Sequence, residues 1–411
     1  MESETKKKKS VMQVIFSRNF LTLFVSYLFA CLAFSSVGSE FVTYGTNELG
    51  MEAVVVGSIA GMVSMIGLVM RPITAVIVDK FNRKGMLILG YAMLTISSVM
   101  LLFTKSATGL YAAQIVRGVA WALQNSAGFI MVGEVVDKDD LGTAMSVYSL
   151  AQVIASSFSA VLILGIANSL GFHASFIATA AFTAISLLLT LSLPYKRQKK
   201  EGEESFFTSL KSIRLSNLFS LECAPILVIS FTFQFVSIMM GASWVVKFAK
   251  DELSILNAGI FATVANLIMY VTKPLFGRVM DKYGAKWCVY ASGVGYALAC
   301  VVMAKSASMT GLILAAVIYG VLCGGNAMAA RTMAMKRMPV DKQAVASSTV
   351  GIGNDIGMTV ANVMIPVWAG MFGTYRGVYY IMAGISVAVI VYSAIYGAVY
   401  VKRHPENEMN W

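Results

Sequence analysis

Residues 72–84 read PITAVIVDKFNRK, and residues 274–286 read PLFGRVMDKYGAK. Each stretch closes a long apolar run and turns through a short charged joint into the next one. Pro72, Asp79, Lys80 and Lys84 match Pro274, Asp281, Lys282 and Lys286 at a constant offset of 202 residues. The offset persists outward in both directions. Gly57 matches Gly259, while Gly109, Gly118 and Gly171 match Gly311, Gly320 and Gly373. Ala144 and Ser146 match Ala346 and Ser348, with small compensating gaps between the third and fourth runs of each half. Chance supplies a few identities, but not one offset held over more than 100 residues, so the chain is an internal duplication.

The repeated unit is a membrane unit. Of 411 residues, 57% are hydrophobic and 13% charged, against about 25% charged in an ordinary soluble domain. The apolar runs are long enough to cross the roughly 30 Å hydrocarbon core as helices. A strand-built pore would instead show alternating segments of about 10 residues. The spans fall at 20–44, 53–70, 86–104, 109–133, 143–168, 172–193, 218–243, 256–272, 287–304, 309–330, 345–370 and 377–401. The second and eighth are expected to run a turn or two beyond these polar-free cores. The expected fold is an all-α membrane protein with twelve transmembrane helices in two pseudo-symmetric six-helix bundles. Its parts are an N-terminal bundle (1–193), a central linker (194–217) and a C-terminal bundle (218–411). The linker carries Lys196, Arg197, Lys199 and Lys200, then Glu201, Glu203 and Glu204. Phe206 to Leu218 has helical spacing that suits either the membrane surface or a solvated linker.

A formal charge of +11 invites a nucleic-acid function, but the position of the charges argues against it. Of 32 Lys and Arg, 26 lie at the termini or in even-numbered joints. Lys105, Lys247, Lys250, Lys305 and Arg376 lie in odd-numbered joints, and Arg117 lies inside a span. That asymmetry is the positive-inside signature, and it puts both termini in the cytoplasm of a cell (inner) membrane. Lys6 to Lys9 precede a run too long for a signal peptide and without a clear cleavage site, so the first span reads as an anchor. Five scattered cysteines and two histidines, His173 and His404, offer no disulfide framework, metal site or histidine relay. No nucleophile–base set or phosphate loop is present, so neither an enzyme nor a cofactor is expected.

At the two joints the chain resembles the major facilitator superfamily, whose loop pattern is G-x-L-a-D-R-x-G-R-[RK]. The second copy keeps both glycines, Gly277 and Gly284, where the first has Ala75 and Asn82. The resemblance covers essentially the whole chain. It implies a conformational latch of Asp79, Lys80, Arg83 and Lys84 in one half, and Gly277, Asp281, Lys282, Gly284 and Lys286 in the other. Glu134, before Asp137 to Gly142, looks like the family acid that assists this latch. In the family the latch favours the state closed to the cytoplasm. The bland alternative is that these charges solvate a tight loop and set topology. The family's fourth-span arginine motif is only partly matched: Gln114 holds the arginine place and Arg117 the variable slot before Gly118. A G-P-x-x-G-G element, frequent in the fifth span of proton-driven drug exporters, is replaced by Ser156 to Gly165. Arg71-Pro72 looks like exporter-type members.

Polar groups inside a membrane are costly, so their placement is informative. The second, third, sixth, ninth and twelfth span cores contain no Asn, Gln, Asp, Glu, Lys or Arg, and every third span is expected to face lipid. The family places spans one, four, seven and ten around a central cavity, and the polar pattern agrees. Asp355, within Gly351-Ile-Gly353-Asn-Asp355-Ile-Gly357, and Glu40 are the candidate proton carriers. Their alternatives are a static ion pair for Asp355 and an acid wetted from outside for Glu40. Arg117 is a candidate anion partner, or a counter-ion to Glu40 or Asp355. Gln114, Gln124, Asn125, Gln234, Trp244 and Asn326 complete the candidate substrate contacts, each weighed against service as helix-packing glue. The 26 methionines suit adaptable packing. The resulting expectation is a monomeric, proton-coupled alternating-access carrier that exports small lipophilic or amphiphilic compounds. Its partners are a small-molecule substrate, protons and the bilayer. The alternatives are symport of a small organic anion into the cell, and a membrane sensor that binds without transporting.

Overall fold

The computed structural model describes residues 17–80, 82–135, 141–194, 219–338 and 343–403, and every regular element among them is helical. The N-terminal half contains α1 (Arg18–Thr43, continued by one π-helical turn, Tyr44–Glu48), α2 (Ala53–Lys80), α3 (Arg83–Phe103), α4 (Ala107–Val135), α5 (Leu141–Leu170) and α6 (Phe172–Leu191). The C-terminal half contains α7 (Ala224–Met239), α8 (Ala242–Leu253), α9 (Ile260–Tyr283), α10 (Lys286–Lys305), α11 (Met309–Leu322), α12 (Asn326–Arg337), α13 (Gln343–Phe372) and α14 (Tyr375–Arg403). Ten spans among the described residues are long and apolar enough to cross a membrane, α7 and α8 together forming one of them. The 29-residue α4, which carries Arg117 and three amides, and the α11–α12 pair bring the crossings to twelve. The linker expected at 194–217 lies outside the described residues except for Pro194.

Two spans read as continuous are broken. The seventh stops at Met239 and restarts at Ala242, because Gly241 takes an extended backbone (φ −73°, ψ 155°) and caps α8. It then continues to Leu253, well past the expected end at 243. The tenth stops at Leu322 and restarts at Asn326 across Gly324 and Gly325. Side chains there would collide with α9: a Cβ on Gly325 would lie 2.7 Å from the Phe276 ring, and one on Gly324 2.7 Å from Thr272 Oγ1. A glycine pair permits that approach and weakens the helix at the same point.

The duplication is visible in the packing. A Cβ on Gly118 would sit 2.9 Å from Ile66 Cβ and 3.1 Å from the Val63 carbonyl, so α4 lies tightly on α2. At the offset of 202 the same contact recurs: a Cβ on Gly320 would sit 2.7 Å from Ile268 Cβ and 2.8 Å from the Ala265 carbonyl. Gly171 (φ +85°) and Gly373 (φ +67°) both turn the chain in the left-handed region, between α5 and α6 and between α13 and α14. The bundles also meet each other at paired positions. Gly57 of α2 abuts the Asn362 carbonyl of α13, and Gly259, capping α9, abuts the Ala160 carbonyl of α5.

α3, α6, α10 and α14 bear rows of exposed large apolar residues such as Ile96, Leu188, Leu298 and Ile395. These are the apolar third spans, and their exposed stripes suit lipid. The remaining helices except α12 surround a central cavity. With an even number of crossings, the start of α1 at Arg18 and the end of α14 at Arg403 share one side, called here the terminal side; the opposite face is the far side.

Candidate functional site

A cavity of about 310 Å³ lies between the bundles, lined from the N-terminal half by α1, α2, α4 and α5. The C-terminal half supplies α7, α8, α9, α11 and α13. Arg117 reaches it from α4, which Gly118 lets lie close on α2, and a Cβ on Gly38 would stand 3.7 Å from the guanidinium, an ordinary contact. The arginine is 4% exposed. Its Nη1 donates to Gln114 Oε1 at 2.9 Å, and its Nη2 donates to the Phe34 carbonyl. The guanidinium lies over the Phe34 ring at 4.1 Å, and that ring stacks on Trp121 at 3.8 Å. Arg117 Nε is buried with no hydrogen-bond partner among the described residues.

Across the cavity, Trp244 at the start of α8 is 1% exposed and donates from Nε1 to Asn362 Oδ1 at 3.1 Å. Ser237 and the Tyr319 hydroxyl are paired at 3.2 Å on the same wall. Asn266 donates to the Ser156 carbonyl at 3.0 Å and Thr263 to the Ser157 carbonyl, tying α9 to α5. On the far side the bundles are tied by Ser243, which donates to the Gly38 carbonyl, and by Asn168, which donates to the Leu256 carbonyl at 3.2 Å. There too, Lys247 Nζ donates to Asn47 Oδ1 and pairs with Asp251, both at 2.6 Å. Asn47 in turn donates to Asp251 at 3.3 Å. Lys247, expected in an outer joint, is therefore buried inside α8.

Asp355 lies toward the terminal side of these contacts. It accepts from Arg71 Nε at 2.6 Å, and Arg71 Nη2 also donates to the Gly351 carbonyl at 3.3 Å. This ion pair joins α2 to α13, one residue from each bundle. The glycines around Asp355 have separate uses. A Cβ on Gly351 would lie 2.7 Å from the Arg71 guanidinium, while Gly353 and Gly357 let α7 backbone approach α13. Thr359, one turn on, donates to Ser64 across the same seam at 3.1 Å.

The other expected residues fall elsewhere. Glu40 is fully buried between α1 and α6, not wetted from outside. Its Oε2 accepts from Ser175 Oγ at 2.7 Å, and its Oε1 has no partner among the described residues. The alternative in which Arg117 is counter-ion to Glu40 or Asp355 gives way to Glu40–Ser175 and Asp355–Arg71. Gln124, Asn125, Gln234 and Asn326 do not line the cavity. Asn125 accepts from Tyr27 at 3.1 Å, Asn326 donates to Tyr296 at 2.6 Å, Gln234 packs under Gly357, and Gln124 packs on Gly90. Of the latch, the side chains of Asp79, Lys80, Glu134 and Asp281 lie outside the described residues. Lys84 donates to the carbonyls of Leu191 and Leu193 at 2.9 and 2.6 Å, a cation on the C-terminal end of α6 in its own bundle. Lys282 lies 5.1 Å over the Tyr283 ring, and Arg83 and Lys286 begin α3 and α10. Gly284 (φ +90°) ends α9 in a conformation that glycine favours, while a Cβ on Gly277 would meet open space. Asn82, which replaces the first loop's glycine, caps α3 by accepting from the amide of Lys84.

Sequence reasoning missed Arg71 as the partner of Asp355, and it left Ser35, Ser39, Asn266 and Asn362, polar groups within their spans, out of the candidate contacts although they line the cavity. Glycine spacing around Asp355 was the one available signal for the first.

The family model of the Major Facilitator Superfamily matches residues 23–255 and 226–410. The "Tetracycline resistance protein, class C" of Escherichia coli is 23% identical over 258 residues, 59% of this chain and 63% of that protein. The "Multi-drug resistance efflux pump PmrA" of Streptococcus pneumoniae is 25% identical over 229 residues, 52% and 54% of the two chains. This chain thus spans less than two thirds of the length of either relative. Among solved structures, the nucleoside transporter NupG superposes with a TM-score of 0.71 at 17% identity, covering 92% of this chain and 99% of that one. A peptide transporter of the POT type in complex with alafosfalin gives a TM-score of 0.76 at 14% identity, covering 96% and 99%. At that identity the likeness is one of fold.

Proposed function

Because the chain belongs to the major facilitator superfamily, we propose that it works by alternating access as a proton-coupled exporter of small lipophilic or amphiphilic compounds. The observation that carries the mechanism is a central cavity walled by both halves, tied shut on the far side. Two bundles rocking about such a site would open it to one face at a time. Charge asymmetry supports a cytoplasmic terminal side in the plasma membrane, with residues 194–217 linking the halves, and a monomer suffices for the site. The efflux relatives support outward transport.

Coupling is assigned to Asp355. Its charge holds Arg71 across the seam, so a proton on the carboxyl weakens the one ion pair described between α2 and α13. Arg71 faces it from α2, and Arg331 of α12 lies close enough to Arg71 for the two cations to repel. Proton entry and bundle separation are thereby linked. Glu40 is a second protonatable group, set between α1 and α6. The test is flux in proteoliposomes under an imposed pH gradient, with lipophilic cations, sugars and organic acids as cargo. The Asp355→Asn variant is expected to lose at least tenfold in gradient-driven accumulation while keeping exchange at equal pH. Full accumulation in that variant would remove Asp355 from coupling.

A further inference from the structure

We propose that the cavity binds cargo through an anionic group, with Arg117 as its partner; the inference rests on the carrier reading and gives it a substrate class. No Asp or Glu lines the cavity among the described residues, whereas Arg117 does. A guanidinium has five N–H donors. Two of its nitrogens are used by Gln114 and Phe34, and Nε is buried and unpaired. A buried cation without a counter-ion is costly, and an arriving carboxylate, sulfonate or phosphonate would offset that cost.

A second observation points the same way. On the terminal side of the cavity, Arg71 lies near enough to Arg331 for the two cations to repel and faces one acid among the described residues, Asp355. In the repeat, Lys273 of α9 stands where Arg71 stands in α2, but Val153 stands where Asp355 stands in α13. Among the described residues one seam pairs its cation, and the other has no acid at the matching position. This excess of positive charge would draw anions toward the site. A volume of about 310 Å³ suits a compact cargo, and Phe41, Phe261, Trp244 and Tyr319 supply walls for one ring.

The test is binding to the purified full chain in nanodiscs, read as saturable tracer binding and as the melting midpoint. Probes are benzoate, benzenesulfonate and phenylphosphonate against neutral benzamide and cationic benzylamine. At least one anion is expected to bind about tenfold or more tightly than both controls. Arg117→Gln should remove that preference, and Arg117→Lys should keep part of it while both variants keep a cooperative melt. If benzamide binds as well as the anions, if none of the three anions binds saturably, or if a folded Arg117→Gln protein binds them unchanged, the proposal fails. Proton-driven flux of neutral or cationic cargo alongside such a failure would leave the carrier reading standing; absence of any flux would sink that reading instead.

Discussion

Gly259 caps α9 where that helix meets α5 of the other bundle. A Cβ there would lie 2.8 Å from the Ala160 carbonyl carbon and 2.9 Å from its oxygen and from Val161 N. All three are backbone atoms, so no rotamer change relieves the overlap. Ordinary contact begins at 3.4 Å, so α9 would have to retreat from α5 by roughly half an ångström or more. Overpacking of this kind costs about 1–3 kcal/mol. The cost falls only on the state in which the far side is shut, because the two helices belong to different bundles. Gly259→Ala should therefore raise the far-open population roughly 5- to 150-fold. A Ser39→Cys probe reads this well, since Ser39 lines the cavity and, among the described residues, its hydroxyl bonds only to the Ser35 carbonyl of its own helix. The five native cysteines are all buried. Labelling of the probe from the far side by an impermeant maleimide should accelerate in Gly259→Ala. It should stay at the parent rate in Gly67→Ala, where a Cβ meets nothing within 4 Å. An unchanged rate in a well-folded Gly259→Ala protein would refute the idea that this seam opens during the cycle.

Lys247→Met should loosen the Asn47–Lys247–Asp251 tie and likewise speed far-side labelling, by about 3- to 10-fold for a partly desolvated pair. Gly118→Ala and Gly320→Ala lie inside single bundles, so each should lower the melting midpoint by the equivalent of about 1–3 kcal/mol without changing labelling. Lys84→Met should cost about 1 kcal/mol of stability through the lost carbonyl contacts at the end of α6, measured by the same melt.

Crossing number, duplication and the lipid-facing third spans were legible because each is written in long periodic runs whose burden is hydrophobic transfer. The cavity residues were legible only in part. Arg117, Gln114 and Trp244 stood out as polar or amphipathic groups and do line it. Asn125 and Asn326 stood out equally, yet each meets a tyrosine of its own bundle, Tyr27 or Tyr296, which spacing along one helix does not reveal. The partner of Asp355 is 284 residues away, a separation no local pattern spans. The breaks at Gly241 and at Gly324–Gly325 depend on what a neighbouring helix presses against them. A glycine in a membrane helix signals close packing far more often than interruption.

The two seams share their glycines but not their charges: α2 and α13 hold Arg71 against Asp355, whereas the equivalent positions are Lys273 and Val153. A carrier with one protonatable seam carries one ion per turnover on that seam. If its cargo leaves as a monoanion while that proton enters, two positive charges move inward in each cycle. Electrical work then joins the chemical gradient. Each charge contributes about 2.3 kcal/mol per 100 mV, so the inside-negative potential alone would supply roughly twice that. Export of this cargo would continue at equal pH on both faces so long as the voltage held, and a potassium–valinomycin clamp at zero potential would slow it sharply.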